Sequence, residues 1–97
     1  MVQTEDYLVN YHSLLGIKFL QRKQYIEAYE NLLIAARLQN VGSRYNLGVL
    51  FEYGLGVEKS LEKAAQWYSA CVGCTEVDYS TALQRVIRKK RQQLHHL

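Results

Sequence analysis

The chain has no proline, only two cysteines and no long apolar run, and each shortage removes a class of structure. Without proline nothing deletes a backbone donor inside a helix, so long uninterrupted helices are permitted. No apolar stretch approaches the roughly 20 residues that span a bilayer. The opening MVQTEDYLVNYH carries acids where a secretory leader carries a basic patch and an apolar core. These absences point to a cytoplasmic protein without a transmembrane segment. Acidic residues are missing from one region: residues 79–97 hold five Lys/Arg and no acid, whereas residues 1–78 hold nine acids and seven Lys/Arg. The net charge of +3 therefore comes from the C-terminal end.

What is present reads as helix. The 97 residues suffice for one domain with a modest core. Apolar positions recur at helical spacing in five segments, at 7–22, 23–40, 41–54, 60–72 and 77–94, and no segment alternates as a strand does. Ser60 and Asp78 stand where N-caps belong. Gly54 and Gly56, two of only six glycines, fall between the third and fourth segments, where a turn at positive φ is needed.

The segments repeat. An offset of 36 carries Ala28 onto Ala64 and Leu32 onto Tyr68; an offset of 32 carries Gly16 onto Gly48. The difference of four residues lies in the turn, longer in the second unit. A degenerate third copy follows, with Leu83 and Ile87 lying 36 beyond Leu47 and Phe51, and Gln84 at the place of Gly48. Small residues at these places let two antiparallel helices approach, so Gly16 is expected against Ala28 and Gly48 against Ala64, with Phe19 and Phe51 filling the wedge between pairs. One helix pair cannot bury its apolar face alone; stacked pairs can. The expected fold is all-α, a short α/α solenoid of two helix-turn-helix repeats (about 7–40 and 41–75) closed by a capping helix at about 77–95.

NLGVLFEYGLGVEKSLEKAAQWYSACV resembles the Sel1-like repeat through Leu47, Gly48, Phe51, Gly54, Gly56, Val57, Lys63, Ala64, Trp67 and Tyr68. It departs at Ser60, where aspartate is usual, and at Cys71 and Val72, where alanines are usual. The first unit is more similar to a tetratricopeptide repeat, with Leu15, Gly16, Phe19, Ala28, Leu32 and Ala35 in place and Asn40 where that repeat closes on proline. The resemblance implies a non-catalytic adaptor or small chaperone-like subunit that binds another protein or peptide segment in a concave groove. By the same resemblance the groove is lined by Asn10, Ser13, Ile17 and Leu20 from the first helix and Tyr45, Val49, Glu52 and Tyr53 from the third. The plain alternative is that Ile17, Leu20 and Val49 are core. The starting methionine and polar last helix fit a complete small protein, and the exposed ends of a short solenoid fit a homodimer.

The basic run RVIRKKRQQLHH offers a different surface. Arg85, Arg88, Lys89 and Arg91 can form a stripe that meets an acidic partner, nucleic acid or an anionic membrane. It equally suits a solvated cap, since cations sit favourably at a helix C-terminus. Without interleaved aromatics or glycines, nucleic acid ranks behind a protein partner. No cofactor or metal is expected. A zinc site wants four ligands, and His12, His95 and His96 would have to converge on CVGC from both ends of the chain. A reactive thiolate belongs at a helix N-terminus, and these cysteines fall at a C-terminus. Cys71 is expected to pack as a small hydrophobe, and His12 to be a half-buried, hydrogen-bonded histidine. No catalytic triad, phosphate loop or carboxylate cluster is present.

Overall fold

The computed structural model describes residues 4–75 and 77–95. Among them are five helices and no strand: α1 Thr4–Gln21, α2 Tyr25–Arg37, α3 Val41–Tyr53, α4 Leu61–Ser69 and α5 Tyr79–His95. Each helix packs on the next, and α1 also touches α3. The result is a stack. Its Cα radius of gyration is 14.1 Å, against about 12.5 Å for a compact globule of this length, and its longest extent is 54 Å. The two hairpins, α1–α2 and α3–α4, form an α/α solenoid, with α5 laid against α4.

Side chains at three helix starts accept the orphan backbone donors. Ser43 N–H donates to Asn40 Oδ1 (2.7 Å), Lys63 N–H to Ser60 Oγ (3.1 Å) and Thr81 N–H to Asp78 Oδ1 (3.1 Å). Asn40, at the place of the closing proline in the first unit's resemblance, thus starts α3. Three helix ends share one device, a left-handed residue followed by an N–H that reaches five residues back. Gln24 N–H donates to Phe19 O (2.9 Å), Asn40 N–H to Ala35 O (3.0 Å) and Leu55 N–H to Leu50 O (2.9 Å). The left-handed residues are Lys23 (φ 60°), Gln39 (φ 76°) and Gly54 (φ 68°). Only one of the three is glycine. Gly56 has a further reason to be glycine: at φ 72° a Cβ there would lie 2.5 Å from the Tyr25 carbonyl carbon. The α3–α4 turn rests directly on the backbone at the start of α2.

Two core layers follow from the stacking. Ala28, Leu32 and Ala36 of α2 meet Leu47 and Leu50 of α3 in the first; Phe51, Leu61, Ala64, Tyr68, Ala82 and Val86 form the second. Tyr29, Val57 and Trp67 touch both. Phe51 packs edge-on against Tyr29, its ring centroid 6.0 Å away, which joins the second unit to the first.

The nearest neighbours of the helix glycines are larger than the alanines of the repeat pattern. A Cβ at Gly16 would lie 2.6 Å from Leu32 Cδ2, and one at Gly48 would lie 2.5 Å from Tyr68 Cε1. The space of the missing side chain is filled by a large residue of the facing helix. Leu32 and Tyr68 are themselves repeat equivalents, so the device is used twice with different fillers.

Helix α5 repeats the packing of α3 incompletely. Val86, 36 beyond Leu50, is buried, whereas Ile87, 36 beyond Phe51, is exposed, as is Gln84 at the place of Gly48. Phe51 and Gly48 are covered by α4; among the described residues α5 has no following helix to do the same.

Candidate concave surface and its buried carboxylate

The eight residues expected to line the groove sit on α1 and α3, neighbouring helices, in different environments. Asn10, Ile17 and Tyr53 are exposed, Ile17 by 40% and Tyr53 by 52%. Ser13 is half-buried. Leu20 packs against the first core layer and Val49 against the second. Tyr45 is half-buried, its ring 5.4 Å from that of Tyr68.

Glu52 departs from the expectation. It has no solvent exposure, and its carboxylate is fully engaged within the chain. Tyr68 Oη–H donates to Oε1 (2.8 Å), Arg85 donates through Nε to Oε2 (2.7 Å) and through Nη2 to Oε1 (2.8 Å), and Lys89 Nζ donates to Oε2 (2.7 Å). A bidentate guanidinium, an ammonium and a phenol satisfy both oxygens. Burial alone would raise the carboxyl's pKa, but hydrogen bonds from Arg85, Lys89 and Tyr68 outweigh it and hold the pKa at about 2. The Tyr68 hydroxyl is pushed well above its ordinary value, by burial first and by its bond to Glu52 second. Lys89 also lies 4.4 Å from the centre of the Tyr53 ring.

The basic run is therefore divided by helix geometry. Arg85 and Lys89, four residues apart, share the face turned to α3 and are half-buried. Arg88, Lys90 and Arg91 remain exposed. The stripe read as one basic surface is two, and half of it ties α5 to the second repeat.

Arg44, a residue the sequence did not single out, performs a similar task at the hairpin ends. It donates through Nε to Ala36 O (3.3 Å), through Nη1 to Ala70 O (3.1 Å) and through Nη2 to Gln39 Oε1 (2.6 Å). One cation thus serves the carbonyl-bearing ends of α2 and α4, where the helix dipole favours it. Only its position, one turn into α3 among uncharged neighbours, hinted at this.

His12 Nδ1 lies 2.9 Å from Asn31 Oδ1, and Asn31 Nδ2 donates to Glu27 O (2.9 Å). The amide donor being engaged, its oxygen faces the ring, which places the imidazole proton on Nδ1. Cys71 is buried just past α4, its thiol donating to Trp67 O (3.5 Å), and burial pushes its pKa up, with Cys74 adding a smaller push. Among the described residues no three His, Cys, Asp or Glu side chains stand where they could hold a metal ion, and no helix is long and apolar enough to cross a membrane. His96 lies outside the described residues. A cleft of about 560 Å³ lies away from α1, between the start of α4 and the end of α5, lined by Lys59, Ser60, Leu61, Glu62, Lys90, Gln93 and Leu94. It contains none of the expected groove residues.

The family described as the Sel1 repeat matches the chain twice, over residues 11–40 and 42–70. No curated protein and no solved structure matches it. The first match includes the unit whose residues are closer to a tetratricopeptide repeat, so one family accounts for both hairpins. Sel1 repeats are generally protein–protein interaction modules. With both hairpins matched and the stacked architecture in place, the chain belongs to the Sel1 repeat family.

Proposed function

We propose that this protein is a non-catalytic, cytoplasmic adaptor that holds a segment of another protein against the α1–α3 face, with Ile17 and Tyr53 as its apolar contacts and Asn10 and Ser13 as polar ones. The observation that carries the reading is the exposure of Ile17 and Tyr53 beside residues whose packing the fold already uses. Large apolar and aromatic side chains left at the surface of a repeat scaffold are the usual anchors of a bound segment. The engagement of Arg85 and Lys89 with Glu52 favours this reading over an anionic surface or nucleic acid, because half of the basic stripe is consumed inside the chain.

The test is capture of a partner from the protein's own cells by the wild type and by Ile17→Ser/Tyr53→Ala. Tyr45 is left intact because its ring packs on Tyr68, so truncation there would damage the core. Loss of a captured protein in the double variant, with helicity unchanged, is the expected result. Retention of the same protein by the double variant would overturn the groove. Recovery of nucleic acid, abolished by Arg88→Gln/Arg91→Gln, would move the function to α5.

A further inference from the structure

Helix α1 exposes an apolar stripe on the face by which, in the second repeat, α3 stacks on its neighbour. The offset of 32 that pairs the two units carries Tyr11 onto Ser43, Leu14 onto Asn46 and Lys18 onto Leu50. Ser43 and Leu50 are buried, Leu50 against Ala28, Leu32 and Ala36 of the first hairpin. On α1, Tyr11, the counterpart of Ser43, is 50% exposed; Leu14, the counterpart of half-buried Asn46, is 68% exposed, and Tyr7, one turn before Tyr11, 64%. The rings of Tyr7 and Tyr11 stack on each other at 6.3 Å rather than on a partner helix. Solenoids end in polar caps because an apolar end face is a liability in water. The α5 end has its exposed cations; the α1 end has tyrosine and leucine.

We propose that this face pairs with the same face of a second copy of the chain, α1 against α1 in antiparallel orientation about a two-fold axis. The order of the residues along α1 supports this pairing. Thr4, Tyr7, Tyr11, Leu14, Lys18 and Gln21 follow the alternating three- and four-residue spacing of a helix–helix seam, and the spacing reads the same from either end of α1. Antiparallel overlap therefore sets Tyr11 against Leu14 of the other copy at the centre. It sets Tyr7 against Lys18 on either side, a cation over an aromatic ring such as Lys89 makes with Tyr53 in the same chain. Polar, exposed Gln21 falls at the rims. Charge selects the same orientation. Asp6 lies at one end of α1, Lys18 and Arg22 at the other, and no charged residue lies from 7 to 17. An antiparallel pair brings opposite charges together, a parallel pair like ones.

Lys18 also argues against another hairpin as the occupant. Its counterpart Leu50 is wholly buried by the stacked hairpin, and a lysine in that place would lose its hydration without a partner. A helix-on-helix seam leaves its ammonium at the edge, over Tyr7. Being isologous, the contact closes at two copies. A two-fold axis perpendicular to an antiparallel pair also turns both α1–α3 faces to one side, although the dimer stands on the α1 stripe whether or not that face binds anything.

The test is molecular mass in solution across concentration at low salt, by sedimentation equilibrium. The wild type is expected to approach twice its 11.3 kDa as concentration rises. Leu14→Glu is expected to stay at 11.3 kDa with an unchanged helical circular dichroism spectrum, since Leu14 is at the surface. Asp6→Lys and Lys18→Glu should each weaken association at least tenfold, and the double reversal Asp6→Lys/Lys18→Glu should associate more tightly than either single variant, because only antiparallel pairing sets residue 6 near residue 18. If Leu14→Glu loses helicity, the two charge variants decide alone. A wild type that is monomeric throughout, a dimer unaffected by these substitutions, or a mass that grows beyond two copies would each overturn the proposal.

Discussion

Glu52 has no exposure to water, yet it remains ionised because three donors from two other helices converge on it. Taking a carboxylate out of water is unfavourable unless such partners are in place, so the network contributes stability only as a whole. Its linkage to pH has a definite sign. The folded pKa, about 2, lies below the ordinary 4.5, so this contribution is complete above about pH 4.5 and is lost as pH falls toward 2. Glu52→Gln leaves Arg85 and Lys89 facing a neutral amide and is expected to lower stability by about 3 kcal/mol at neutral pH. It should also flatten the dependence of stability on pH between about 4.5 and 2, read by denaturant unfolding at a series of pH values. A variant with the wild-type acid limb would show that the carboxylate is not the titrating group. This residue was not legible as a buried one. Its donors lie 16, 33 and 37 positions away in the chain, and nothing local to a glutamate between phenylalanine and tyrosine signals that they will arrive. Arg44 escaped notice for the same reason, since the carbonyls it serves belong to helices before and after its own.

The five helices could be read directly, because apolar spacing and the caps at Ser60 and Asp78 act within one or two turns. The way the helices end was half legible. Gly54 announces a left-handed residue, but Lys23 and Gln39 adopt the same conformation with no side chain that favours it, held by the i to i+5 hydrogen bonds that follow them. A left-handed residue with a Cβ is strained by roughly 1–2 kcal/mol, and glycine removes that strain at the expense of a more disordered unfolded chain. Lys23 is exposed and makes no side-chain packing contribution to either core layer. Lys23→Gly is therefore expected to raise stability by about 0.5–1 kcal/mol, seen as a higher midpoint in urea. A lower midpoint would mean that the turn does not carry the strain assigned to it. The same scale explains which residues fill the space beside the helix glycines. A repeat pattern identifies which positions are small, but which neighbour fills the space depends on rotamers, and Leu32 and Tyr68 are the residues that reach into it.

At the scale of the molecule the chain is a short solenoid whose two ends differ. One end is finished by α5, which lays Ala82 and Val86 on the second core layer and locks Arg85 and Lys89 onto Glu52. The other presents Tyr7, Tyr11 and Leu14. Between them the α1–α3 face combines residues that the fold has absorbed, Leu20, Tyr45, Val49 and Glu52, with residues it has left outside, Asn10, Ile17 and Tyr53. The repeat resemblance named all of these as one surface because it assigns positions, not environments, and it treats α5 as absent from the face that Glu52 occupies.

Site-specific photocrosslinking in the protein's own cells tests the adaptor reading most directly. A photoreactive side chain is placed in turn at 17, 53, 34 and 88, all exposed, the first two on the proposed binding face and the others on the outside of α2 and on α5. Positions 17 and 53 are expected to give one discrete adduct with another protein, and position 34 none. Adducts from position 88 alone, or equal labelling from all four positions, would contradict the adaptor reading.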